Sequence, residues 1–157
     1  MPIVQSPFIV QIKSSFLRSP VNQSPLVIGI RADLAAEPEP DNDANFGQQW
    51  ELSVVSAGTY TFKSRLISQP GCLKVADTTS PSSFASTVLG SCSSPRAKWS
   101  LQFRGGPGDL LVNTSGTGHA LSPSQCLLGA CEHRVTVVPE AFISNYTAMI
   151  GWSFDYL

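Results

Sequence analysis

Eight consecutive residues, Asp41-Asn42-Asp43-Ala44-Asn45-Phe46-Gly47-Gln48, bring carboxylates, carboxamides and an aromatic ring into one short stretch. Recognition of a sugar needs that mixture: a ring for the apolar side of the pyranose, and acid and amide groups for its hydroxyls. Asp43, Asn45, Phe46 and Gln48 are the candidate carbohydrate contacts. The plainer alternative is a solvated acidic turn, because runs of charge usually face water. Asp41, Asp43 and Asn45 also begin like a calcium loop, but Phe46 stands where that loop needs glycine and Glu51 comes one place early. A metal is not expected there.

The remaining chemistry is sparse. Four cysteines lie at 72, 92, 126 and 131. Cys72 and Cys92 can close a disulfide loop or stand as buried thiols. Cys126 and Cys131 bracket Leu127-Leu128-Gly129-Ala130; read as one extended strand, that run holds its ends too far apart for a bridge. This second pair is therefore expected to be reduced. Beside it, His133 finds no further cluster to complete a tetrahedral metal site. His119 and His133 are the only two histidines, and neither sits in a nucleophile motif. Gly105-Gly106-Pro107-Gly108 lacks the Lys-Ser/Thr and the helix of a phosphate loop. The expectation is a non-enzyme with no cofactor. Asp33, Glu37, Glu39, Asp41 and Asp43 are five of the eleven acidic residues; with Pro38 and Pro40 they read as a stiff acidic excursion, either a partner surface or a solubilising loop.

What positions these groups is a repeat. The three tryptophans occur as Trp50-Glu51-Leu52, Trp99-Ser100-Leu101 and Trp152-Ser153-Phe154, 49 and then 53 residues apart. Each is apolar at alternate positions, as on one face of a strand. Val10-Gln11-Ile12-Lys13-Ser14, Tyr60-Thr61-Phe62-Lys63-Ser64 and Leu110-Leu111-Val112-Asn113-Thr114 begin the units at steps of 50 residues. Further strand-like runs are Leu26–Ile30, Cys72–Val75, Thr87–Ser91, Cys126–Gly129 and Arg134–Val138. The third unit leaves two registers open: Gly129 paired with Gly29, or Cys126–Gly129 as its second strand and Arg134–Val138 as its third. Prolines punctuate the intervals and no sustained helical period appears, so the class is all-β. Three units around one apolar barrel make a β-trefoil, with four strands per unit and pseudo-three-fold symmetry; three blades are too few for a propeller. The predicted repeats are 1–53, 54–103 and 104–157, in one domain.

Composition narrows the partners. Charged residues are 13% of the chain and the net charge is −1, with no basic block, so nucleic acid is not an expected partner. No apolar run reaches membrane-spanning length. Met1–Pro7 shows neither the basic nor the apolar region of a secretory leader, which leaves a cytoplasmic location, or secretion without a visible signal. Asn22, Asn113 and Asn145 open Asn-x-Ser/Thr sequons that are expected to be chance occurrences.

The residues carry a family resemblance. Gly71-Cys72-Leu73-Lys74-Val75, then Val88-Leu89-Gly90-Ser91-Cys92, then Lys98-Trp99-Ser100-Leu101 resembles a repeat of the ricin-B-type β-trefoil lectins, Cys-Leu-Asp-Val, Val-x-Leu-x-x-Cys and Gln-x-Trp-x-Leu. Pro25–Gly29 with Gln48-Gln49-Trp50-Glu51-Leu52 looks like fungal members of that superfamily. The resemblance implies a glycan-binding protein with degenerate sugar sites. The family's aspartate is replaced by Lys74, which offers only donors, and the glutamine of Gln-x-Trp survives only as Gln48, with Ala97 and Ile150 in its other places. Trefoils of this kind also serve as protease inhibitors, where a rigid exposed loop fills the protease cleft. The corresponding loops are Ser15–Pro20, with Arg18 and Ser19 for a trypsin-like pocket, and Asp77–Phe84. The partner is then a glycan or a protease, with a homodimer open.

Overall fold

The computed structural model describes residues 8–18, 23–30, 36–41, 45–56, 58–66, 71–76, 85–102, 109–114, 119–122, 125–127, 130–132, 135–138, 143 and 150–156. Six strands form its frame: β1 (Phe8–Arg18), β4 (Trp50–Ser56), β5 (Thr59–Ser64), β8 (Trp99–Gln102), β9 (Leu110–Asn113) and β14 (Trp152–Tyr156). They pair antiparallel in the circular order β14-β1-β4-β5-β8-β9. The circle is closed by Asp109 and Trp152, which exchange two backbone hydrogen bonds of 2.9 Å. Closure removes the free edges that an open sheet would expose.

Over one end lie three hairpins, one per unit: β2 (Pro25–Ile30) with β3 (Ala36–Glu39), β6 (Cys72–Val75) with β7 (Ala85–Gly90), and β10 (Ala120–Ser122) with β13 (Thr136–Val138). Each follows the first barrel strand of its unit, and β7 and β13 pair across units. This is the β-trefoil that the repeat implies. Cys72 and Cys92 form a disulfide across the second hairpin, with a Cα–Cα distance of 5.0 Å.

The core explains why tryptophan recurs. Trp50, Trp99 and Trp152 are buried with Val10, Ile12, Ile28, Phe62, Leu73, Leu111 and Leu121. Each indole also has to place its one N–H, since a buried donor without an acceptor is costly. Trp50 Nε1 donates to Ile28 O at 3.2 Å, Trp99 Nε1 to Leu73 O at 3.0 Å, and Trp152 Nε1 to Leu121 O at 2.9 Å. The three acceptors sit on β2, β6 and β10, so one bond repeated three times ties every hairpin to the barrel.

Three sequence expectations are corrected here. The third unit's second strand is β10, not Cys126–Gly129; of the two open registers, only the placing of its third strand, β13, within Arg134–Val138 holds. Cys126 and Leu127 instead belong to a separate two-stranded sheet, β11 (Gln125–Leu127) with β12 (Ala130–Glu132), and Leu128 and Gly129 lie outside the described residues. The 50-residue step sets Asn113 level with Lys13 and Lys63, but the pairings put Ser64 opposite Trp50, Asn113 opposite Trp99 and Ser14 opposite Trp152. A one-residue slip turns a side chain to the other face of a strand, and Asn113 is accordingly buried like Ser14 and Ser64. Part of the acidic excursion, finally, is strand β3. Pro38 is tolerated because β3 is the edge strand of the sheet among the described residues.

Candidate functional site

The first unit gathers a polar cluster on the outside of the barrel. Strand alternation sends Val10 and Ile12 into the core and leaves Gln11 and Lys13 on the opposite face. Gln11 is nevertheless fully buried, and its Nε2 donates to Oδ1 of Asp41, just past β3, at 2.6 Å. Lys13 Nζ lies 3.1 Å from Asp155 Oδ2 and 3.9 Å from Asp41 Oδ2. Asp41 is thus a partly exposed carboxylate whose orientation is set by an amide on one oxygen and an ammonium near the other.

Next to it stands the turn before Trp50. Phe46–Gln48 forms a 3-10 turn whose N-cap is Asn45, its side-chain oxygen accepting from Gly47 N at 2.9 Å. Gln48 is 2% exposed and donates through Nε2 to Glu39 Oε1 at 3.0 Å and to Pro40 O at 2.9 Å. It thereby fastens the turn to the end of β3. Gly29 leaves room for this arrangement: a Cβ there would collide with the Glu39 carboxylate. Phe46 remains 50% exposed, with the Arg65 guanidinium 5.2 Å from its ring centroid. Arg65 is held in turn by Gln49 Oε1, 2.7 Å from its Nη1.

The sequence-derived candidates therefore separate. Phe46 is presented to solvent. Asn45 and Gln48 are engaged in building the turn, and Asp43 lies outside the described residues. Asp41, Gln11, Lys13 and Arg65 were not among the candidate contacts. Asp41 belongs to the acidic run; the burial of Gln11 has no sequence signal, because alternation places it off the core face and its partner Asp41 lies thirty residues away. Of the inhibitory-loop residues, Arg18 closes β1 with its backbone paired to Pro25, while Ser19 and the whole of Asp77–Phe84 lie outside the described residues. Lys74 is buried along the hairpin, where its stem fills the space above Gly90. Among the described residues no group of three His, Cys, Asp or Glu side chains could hold a metal, and no helix is long and apolar enough to cross a membrane.

No family model and no curated protein sequence matches the chain. Solved structures do. The designed three-fold symmetric protein ThreeFoil superposes with a TM-score of 0.64 at 16% identity, over 95% of this chain and 99% of that one. A Polyporus squamosus lectin, solved bound to the epitope Neu5Aca2-6Galb1-4GlcNAc, gives 0.65 at 19% identity over 98% of this chain; the match spans 50% of the lectin. A Culex salivary protein of the Cysteine and Tryptophan-Rich family gives 0.60 at 16% identity, covering 98% and 97% of the two chains. These likenesses show the β-trefoil fold, and the chain spans about half the length of the lectin it matches.

Proposed function

We propose that the protein is a non-catalytic glycan-binding module, with one sugar site on the first unit. The observation that carries this reading is the pre-oriented Asp41 carboxylate, fixed by Gln11 at 2.6 Å on the same unit as the half-exposed ring of Phe46. A carboxylate accepts hydrogen bonds from vicinal hydroxyls, and an aromatic ring takes the C–H face of a pyranose. Asn45, Gln48 and Glu39 hold the turn that bears the ring, which keeps the cost of ordering the site low on binding. Fold likeness to a lectin adds an argument by analogy. The inhibitor alternative draws no comparable support: the backbone of Arg18 is engaged with Pro25, whereas an inhibitory loop offers its backbone to the protease.

Retention on immobilised glycans, with elution by free sugar, is the test. Asp41→Asn and Phe46→Ala are each expected to weaken binding roughly tenfold or more, as for loss of one charged hydrogen bond or one ring contact. Phe46→Ala should keep the parent's unfolding midpoint within narrow limits, because its ring is half exposed. Asp41→Asn keeps an acceptor oxygen for Gln11 and loses only the charge near Lys13, so it should lower the midpoint slightly. Folded protein that is retained by no glycan on a broad array removes the proposal.

A further inference from the structure

The β11–β12 hairpin lies off the main sheet, as a two-stranded sheet of its own. Its strands are three residues each, and an isolated pair of strands that short is marginal without further support. Its register pairs Gln125 with Glu132, Cys126 with Cys131 and Leu127 with Ala130. Two residues join the strands, so the flanking pair Leu127–Ala130 is the one that exchanges backbone hydrogen bonds. Pairs alternate along an antiparallel ladder, which makes Cys126–Cys131 a non-hydrogen-bonded pair, the kind whose side chains come closest. Its usual Cα separation, about 4.5 Å, lies within the span of disulfides.

We infer that Cys126 and Cys131 form a second, cross-strand disulfide that staples this hairpin. One extended strand would hold Cys126 and Cys131 apart; the hairpin makes them partners across the ladder. A second observation points the same way: Cys72 and Cys92 are already bridged, and a chain that carries one structural disulfide belongs to conditions that oxidise a second well-placed pair. The chemistry is thiol–disulfide exchange with a small disulfide oxidant. One cysteine thiolate attacks the oxidant and expels a small thiolate; the other then attacks the mixed disulfide and expels the second. Two protein thiols and one small disulfide become one protein disulfide and two small thiols.

The test uses full-length protein, reduced and then refolded in a glutathione redox buffer, alkylated without reduction and digested with trypsin. No Lys or Arg lies between Arg104 and Arg134, so residues 105–134 emerge as one peptide carrying both cysteines. The expected peptide is unalkylated, two hydrogens lighter than its reduced form, and linked to no other; Cys72 and Cys92 instead join two peptides. Double alkylation of 105–134, or its linkage to another peptide or a second copy, overturns the inference. As a second readout, the Cys126→Ser/Cys131→Ser variant is expected to keep the other bridge. Chymotrypsin should nick it at Leu127 or Leu128 on the order of tenfold faster than the parent, since the hairpin opens more readily without its cross-link. Equal nicking rates count against the staple.

Discussion

The first and second units share a backbone device and use it differently. In each, a 3-10 turn ends two residues before a core tryptophan and is capped by a side-chain oxygen: Asn45 bonds Gly47 N, and Ser94 bonds Arg96 N at 3.2 Å. The third position of the turn is Gln48 in one and Ala97 in the other, both buried. Gln48 reaches out to the end of β3 and organises a polar cluster. Ala97 fills its place and reaches nothing; there Arg96 makes the link instead, Nη1 donating to Ala76 O at 3.2 Å. The two turns thus share one backbone form and carry different side chains: the turn of the first unit presents the exposed ring of Phe46 and ties Gln48 to the end of β3.

That contrast is breakable in order of size. The largest effect belongs to what the units share. Trp50→Ala, Trp99→Ala and Trp152→Ala each empty a core position and orphan a buried carbonyl on β2, β6 or β10. Each should cost about 3–5 kcal/mol, and denaturant unfolding should find the three similar. One much milder member would show that its unit does not depend on the common bond.

A reciprocal pair probes what the units do not share. Gln48→Ala deletes the amide that holds Glu39 and Pro40, at about 1–3 kcal/mol. Ala97→Gln forces a larger polar group into a fully buried place and should cost at least as much. If Gln48→Ala were neutral while glycan retention persisted, the turn would not need its tether. The smallest effect is the cap: Asn45→Ala and Ser94→Ala should each lower stability by about 0.5–1 kcal/mol. Equal values in the same unfolding experiment confirm equivalence of the two turns; a larger loss at Asn45 would mean that the cap also supports the polar cluster.

Legibility in the sequence followed the repeat. Where the three units agree, alternate apolar residues and recurring tryptophans suffice, because burial of one strand face acts on every unit alike. Where the units diverge, pattern misleads. The apolar run Cys126–Ala130 imitates a strand of the trefoil, whereas Ala120–Ser122 is too short and plain to announce itself, though it accepts the Trp152 indole bond. The one-residue offset at Asn113 has the same origin: a 50-residue step counts residues, while register is set by cross-strand pairing. In the loop of the first unit, residue types showed which polar and aromatic groups are available but not their partners: Asn45 caps the turn, Gln48 is bonded to the end of β3 and Asp41 is aimed by a glutamine thirty positions earlier.

The sequence alone determined the all-β class, the three-fold plan and the core role of Trp50, Trp99 and Trp152, because each follows from apolar periodicity that every unit repeats. Tertiary structure decided the rest: which carboxylate is held in place, which amide is sequestered, and that Cys126 meets Cys131 across a ladder. Those outcomes depend on contacts between segments far apart in the chain, and hydrogen-bond partners of that kind are assigned only when the barrel closes.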